Sequence, residues 1–253
     1  MSEIIFASDL DNTLLFTQKH LPENTDTVCV EYYQEKPHGF FTKETIRLLR
    51  DVCRQTQFVP ITTRSLEQYR RIKWPEGCSP KLALTTNGSL LLINGEVDEA
   101  WQQASLEMVR LHAAELGRLH ALLSPNKTFI HCRLVDQMYL FVSCEDEAAA
   151  ALESARCREM TSLTVEASGR KIYFFPPGID KGTALERLRK RFLPRKIFCA
   201  GDSRIDLPML EKADTSFVPY AEMLNTLPRG ILFGQGVFFP EKLLQHILEL
   251  SSI

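Results

Sequence analysis

The chain has 253 residues, 44% of them apolar, enough for a buried core and for one large domain or two modest ones. Lys and Arg number 30 against 32 Asp and Glu, a formal charge of −2 that excludes the basic surplus of a dedicated nucleic-acid or anionic-membrane binder. A charged fraction of 25% excludes wholesale disorder.

The seven cysteines are odd in number and no pair has C-x-x-C spacing, and most lie in apolar stretches where they read as small reduced core residues. That fits a reducing compartment. No apolar run approaches the roughly 18 residues of a membrane span. Glu3 and Asp9 interrupt the N-terminus, where a signal peptide would be apolar. The expectation is a soluble cytoplasmic protein, monomeric or homodimeric, without nucleic-acid or membrane partners.

In chain order, Ile4-Ile5-Phe6-Ala7 is a short apolar strand stopped by Ser8-Asp9. Thr42 can cap a helix that carries Ile46, Leu49 and Val52-Cys53 on one side. Phe58-Val59-Pro60-Ile61 is the next strand, its proline marking a strand end. Ser65 and Gln68 then form a capping box, so a helix follows at once. Leu82-Ala83-Leu84 is a third apolar run and Lys196 to Ala200 a fourth. Short apolar strands alternating with helices predict parallel pairing in a doubly wound α/β sheet.

The middle of the chain differs. Ser89 to Val97 reads as a hairpin turning at Asn94-Gly95. One long helix is expected next, with Leu106, Val109, Ala113, Leu116, His120 and Leu123 along its stripe. Strands at Thr128 to Val135 and Met138 to Ser143, a helix at Glu145 to Arg156, and strands at Leu163 to Ala167 and Lys171 to Phe175 follow. This predicts a small α+β module over 87–177, inserted into an α/β core made of 1–86 and 178–253.

Four features carry chemistry, three of them directly after apolar strands: Asp9-Leu10-Asp11-Asn12-Thr13, Thr62-Thr63-Arg64, Lys181 at the start of a helix, and Gly201-Asp202-Ser203-Arg204-Ile205-Asp206. The carboxyl ends of parallel strands share one edge, where ligands bind. Asp9, Asp11 and Asp202 offer hard oxygen ligands for Mg²⁺. Lys181 brings positive charge, Thr62 a hydroxyl, and backbone N–H groups after Asp9 a nest for a phosphate oxygen. Singly, each is weak: a D-x-D can cap a turn, and a lone lysine can face solvent. Their order and placement after strands point to phosphoryl transfer.

This set resembles the haloacid-dehalogenase-like phosphohydrolases, whose pattern is D-x-D-x-T, a Thr or Ser after the second strand, a Lys, and G-D-x-x-x-D. An insert between the second and third motifs is similar to the Cof-type, sucrose-phosphatase-like subgroup, and Thr85-Thr86-Asn87-Gly88 resembles its entry into the cap. The resemblance implies a Rossmann-like core with an inserted cap that sets substrate specificity. It implies a Mg²⁺-dependent phosphatase acting on a small phosphorylated metabolite, with a sugar phosphate foremost. Asp9 would be the nucleophile and Asp11 the general acid and base. Leu10 (through its backbone), Thr62, Thr63 and Lys181 would hold the phosphoryl group. Asp9, Asp11 and Asp202 would hold the metal, supported by Ser203 and Asp206, while Arg64 and Asn87 would touch substrate. Ile205 stands where many relatives have Asn, and the segment from Phe16 to Phe41 is longer than usual.

A phosphomutase would use the same aspartyl-phosphate, and a silent sugar-phosphate binder could share the fold. A glycosyltransferase D-x-D would not predict Lys181 or the later acidic motif. The run from Arg187 to Lys196 reads as a solvated helix face with cations near its end. Gly234-Gln235-Gly236 reads as a turn rather than a nucleotide loop.

Overall fold

The computed structural model describes residues 4–227, 229–233 and 236–251. Gly234 and Gln235 of the expected glycine turn lie outside the described residues. Strand β1 (Ile4–Ser8) is followed by the hairpin β2 (Thr27–Tyr33) and β3 (Lys36–Thr42), then α1 (Lys43–Gln55), β4 (Gln57–Pro60) and α2 (Leu66–Arg70). The Thr42 hydroxyl accepts from Thr45 N, and Ser65 and Gln68 complete the capping box. Pro60 is the last residue of its strand, as expected.

Strands β5 (Leu82–Thr85), β6 (Leu90–Ile93) and β7 (Glu96–Val97) come next, then α3 (Glu99–Arg110) and α4 (Ala113–Leu123). The insert continues with β8 (Phe129–Val135), β9 (Tyr139–Cys144), α5 (Glu147–Arg158), β10 (Thr164–Ser168) and β11 (Lys171–Phe175). The chain closes with α6 (Lys181–Phe192), β12 (Lys196–Ala200), α7 (Leu207–Glu211), β13 (Thr215–Val218), β14 (Gly230–Leu232) and α8 (Phe239–Ser251).

The core is a five-stranded parallel sheet in the order β14-β13-β12-β1-β4. Side chains alternate across it. Phe6, Phe58, Phe198 and Phe217 pack on α1 and α8, while Ile5, Val59, Ile197 and Cys199 pack on α6 and α7. Burial on both faces explains why these strands read as unbroken apolar runs. A parallel bridge between Ile61 and Leu84 attaches the antiparallel sheet β5-β6-β7 to the end of β4.

The inserted sheet is antiparallel, in the order β10-β11-β9-β8. One face, with Leu140, Val142, Ile172 and Phe174, packs on α4 and α5. By the period of two, Arg133, Tyr139, Phe141, Lys171 and Tyr173 lie on the opposite face.

Two expectations change here. The long helix is two helices, broken at Leu111-His112, and Leu111 is exposed. The break resets the phase, so Leu116, Leu119 and Leu123 are buried on α4, while Ala113 and His120 are not. The basic run on α6 is also more than a solvated face. The Arg187 guanidinium lies 3.9 Å from the Trp101 ring centre and donates to Ser105 Oγ and the Trp101 carbonyl. Arg191 makes two bonds to Asp98, and Arg189 one to Asp214. Hairpin β6-β7 and the start of α3 thus stand on the core layer, pinned by α6.

Candidate active site

The chain leaves β1 at Asp9 and turns tightly. Thr13, Leu14 and Leu15 all donate backbone N–H groups to the Leu10 carbonyl, with Asn12 at a left-handed φ of 61°. Leu10 itself buries its side chain in the core. The turn returns Thr13 beneath Asp9, where its hydroxyl lies 2.9 Å from Asp202 Oδ1 and 3.4 Å from Asp9 Oδ2. Thr13 was legible as the last residue of D-x-D-x-T, but its bridging role was not.

Lys181 is the first residue of α6, set by the Asp180 side chain accepting from Thr183 N. Its buried ammonium donates to Asp9 Oδ1 and to Asp206 Oδ1, both at 2.5 Å. Gly182 allows this approach: a Cβ there would lie 2.3 Å from the Pro208 carbonyl oxygen. Asp206 Oδ2 accepts from Asp202 N, Ser203 N and Ser203 Oγ, so both its oxygens are engaged.

Asp9, Asp202 and Asp206 have carboxylate oxygens within 4.8 Å of one another. Three carboxylates beside one lysine leave a local excess of two negative charges. Burial pushes the Asp9 carboxyl up to about 7, although Lys181 pulls the other way. Burial, then the charges of Asp9 and Asp206, hold the Asp202 carboxyl well above its usual range. Burial opposes the Lys181 charge, yet Asp206 and Asp9 keep its pKa raised. Such a site suits a divalent cation: the donors are hard oxygens, and the least engaged of them belong to Asp9 and Asp202.

Asp11 departs from expectation. Both its oxygens face Arg64, at 2.8 Å from Nε and 2.7 Å from Nη2, so its carboxylate lies outside the acidic cluster. Burial disfavours its charge, but Arg64 overrides this and holds the carboxyl below its usual range. The third nitrogen of Arg64 donates to Glu31, a fully buried carboxylate on β2 that also accepts from Arg71. Gly39 on β3 leaves room for it; a Cβ would lie 2.9 Å from Glu31 Oε2. Glu31 had no motif to announce it.

The remaining candidates separate. Thr63 lines the cavity at Asp9 together with Asp11, Lys181, Asp202 and Ser203. Thr62 is buried, and its hydroxyl accepts from Arg64 N. Asn87, expected to touch substrate, is instead buried with its amide on the Ile179 carbonyl, where it fixes the return from the insert. Ile205 packs into the apolar cluster of the insert as well as lining the cavity, so it joins the two layers in place of a polar support. From the inserted sheet, Ser168, Lys171 and Tyr173 reach the same cavity. The insert therefore covers the carboxyl edge of the parallel sheet. At its β8-β9 turn, Asp136 Oδ2 accepts from Leu66 N and Thr86 Oγ1, and the Tyr139 hydroxyl donates to the Thr63 carbonyl.

Comparison with known proteins agrees with the resemblance read from the motifs. The haloacid dehalogenase-like hydrolase family matches residues 126–218. The sucrose-phosphatase of Synechocystis sp. PCC6803, solved with sucrose and phosphate, is similar over 98% of each chain at 15% identity and a TM-score of 0.66. A Thermoplasma acidophilum protein is similar over 100% of this chain and 99% of its own, at 13% identity and a TM-score of 0.64. A trehalose-6-phosphate phosphatase related protein is similar over 98% of each, at 15% identity and a TM-score of 0.59. At these identities the likeness is one of fold. No curated protein matches the sequence.

Proposed function

We propose that this haloacid dehalogenase-like chain is a Mg²⁺-dependent phosphoric monoester hydrolase acting on a small phosphorylated metabolite, with Asp9 as nucleophile. The observation that carries the reading is the buried ammonium of Lys181 bridging Asp9 and Asp206 beside the carboxylate of Asp202. A carboxylate about 4 Å from a phosphate dianion is repelled by about 8 kcal/mol at an effective dielectric of 20. Asp9 and Asp202 would hold Mg²⁺, which would neutralise phosphoryl charge and reverse that sign.

The chain's own residues do the rest. Lys181 fixes the Asp9 rotamer and places positive charge beside the phosphoryl oxygens. An Asp9 oxygen bonds to phosphorus as the bond to the leaving oxygen breaks, and Asp11 gives that oxygen its proton. Asp11 then takes a proton from water, whose oxygen attacks phosphorus and frees the Asp9 carboxylate and inorganic phosphate. The Arg64 pair favours the ionised form of Asp11, so Asp11 must leave that pair to carry a proton.

The core (1–86 and 178–253) would perform this chemistry, and the insert (87–177) would contact the leaving group through Lys171 and Tyr173. The seven cysteines are unpaired, and no helix among the described residues is long and apolar enough to cross a membrane, which supports a cytoplasmic setting. The test is release of inorganic phosphate from p-nitrophenyl phosphate with Mg²⁺ and with excess chelator. Turnover that survives chelation, or that survives Asp9→Asn with the fold intact, overturns the reading. Phosphoryl transfer to an added sugar in place of release would make it a mutase.

A further inference from the structure

We propose that the leaving group of the substrate carries a second anionic group, a carboxylate or a phosphate, received between the insert and the core by Arg133 and Lys171. This rests on the phosphatase reading above. A cavity of about 120 Å³ opens beside the catalytic one, and the two share Asp11, Thr63, Lys171 and Tyr173 in their walls. A group leaving phosphorus on the Asp11 side enters this second cavity.

Its charges do not cancel. Asp11, Arg64, Glu31 and Arg71 form an alternating chain of ion pairs, neutral as a whole. Arg133 and Lys171 line the same cavity and stand outside that chain. Arg133 lies over the Phe141 ring at 5.5 Å, and among the described residues neither cation forms a close ion pair with a carboxylate, although the Asp11 and Asp9 charges act on Lys171. Two cations without a close counter-ion thus stand on β8 and β11, facing the place where the leaving group must sit.

The hydrogen-bonding capacity points the same way. A neutral sugar presents hydroxyls that need acceptors as well as donors. Here the strongest acceptors are already engaged, Gln68 Oε1 by Ser65 N and both Asp11 oxygens by Arg64, while four side chains of the wall, Arg64, Arg71, Arg133 and Lys171, are cationic donors. Guanidinium and ammonium groups only donate. The Thr63, Tyr139 and Tyr173 hydroxyls can still accept, but an anion meets the cationic donors with charge-assisted bonds that a neutral hydroxyl does not make.

The experiment compares kcat/KM within matched pairs: glycerol 3-phosphate against 3-phosphoglycerate for the carboxylate, and fructose 6-phosphate against fructose 1,6-bisphosphate for the phosphate. The doubly anionic member of one pair should be preferred by about tenfold, the scale of one charge-assisted hydrogen bond. That ratio should fall towards one in Arg133→Gln and in Lys171→Gln, chiefly through KM. Taking the ratio within each variant cancels any general loss of activity. Ratios near one in both pairs, or a preference unchanged by Arg133→Gln, overturn the inference while hydrolysis of p-nitrophenyl phosphate keeps the phosphatase reading intact. If the protein hydrolyses none of these, calorimetric binding of the same pairs decides, and equal affinities within each pair overturn it.

Discussion

Arg64 holds Asp11 in a two-pronged pair, at 2.7 and 2.8 Å, while its remaining nitrogen reaches Glu31 at 2.8 Å. The guanidinium is therefore shared between the catalytic turn and the hairpin β2-β3. Glu31 is 0% exposed and Arg64 8% exposed. Removing one partner of a buried pair leaves the other uncompensated, at a cost of about 3–5 kcal/mol. Glu31→Ala should lose that much stability in urea unfolding. Glu31→Gln, which keeps the volume and an acceptor oxygen, should lose less than half as much. Equal losses would mean that packing rather than charge holds the hairpin.

Asp136 should act as a latch. One of its oxygens receives both Leu66 N at 3.0 Å and Thr86 Oγ1 at 2.5 Å, tying the β8-β9 turn of the insert to the core. A hydrogen bond to a charged group contributes about 1.5–3 kcal/mol. Asp136→Ala should therefore favour a more open insert and raise KM by about tenfold. Thr86 should become more susceptible to hydrogen exchange. An unchanged KM together with unchanged exchange at Thr85 to Gly88 would show that the insert is held elsewhere.

The sequence made β1, β4 and β12 legible because each is buried and followed by a polar motif at one edge, whereas β13 and the half-buried, three-residue β14 carry no such motif, and the run Leu82-Ala83-Leu84 pairs in the antiparallel sheet β5-β6-β7 rather than in the parallel one. Asp9, Lys181 and Asp202 were readable for the same reason: each follows a strand or starts a helix at that edge. Glu31 was not, because it is a lone acidic residue in a strand whose bulge breaks the alternation, burying Val30 and Glu31 side by side, and its partners lie 33 and 40 positions away. Lys171 and Tyr173 carried a faint signal. They alternate with Ile172 and Phe174, so they had to face away from the insert's own core, but nothing in the sequence says what that second face covers. Pairing of Asp11 with Arg64 was hidden because the motif suggests a metal ligand, whereas the nearer positive charge takes the carboxylate.

Acid should loosen the insert through Glu115. Its carboxylate accepts from Thr161 Oγ1, Ser162 N and Ser162 Oγ, joining α4 to the segment before β10. The side-chain bonds from Thr161 and Ser162, the largest causes, pull its pKa down to about 2. A carboxyl depressed in the folded state contributes stability that is fully present above its ordinary value of 4.5 and is lost as pH falls towards about 2. Wild type should lose stability over that window more steeply than Glu115→Gln, as measured by urea midpoints between pH 5 and pH 3. Parallel curves for the two proteins would count against the clamp.

Mg²⁺ should stabilise the folded chain, and the effect should depend on Asp202. The oxygens of Asp9, Asp202 and Asp206 lie within 4.8 Å of one another, and Lys181 offsets only one of the three charges. Without a cation, the native state carries that repulsion or takes up protons to relieve it, as the raised Asp9 and Asp202 carboxyls show, and the unfolded chain does neither. A ligand that binds only the native state stabilises it by about 2.7 kcal/mol at a hundred times its Kd. For a chain of this length that corresponds to a rise in Tm of about 5–10 °C. Asp202→Asn removes one ligand and one repelling charge together, so it should abolish the response to Mg²⁺ and leave the metal-free protein more stable than wild type. Asp206→Asn should behave differently: it takes a counter-charge from buried Lys181 and should lower Tm with or without metal. If Mg²⁺ leaves the wild-type Tm unmoved and Asp202→Asn brings no gain, the acidic cluster is a structural pairing of Lys181 and not a metal site.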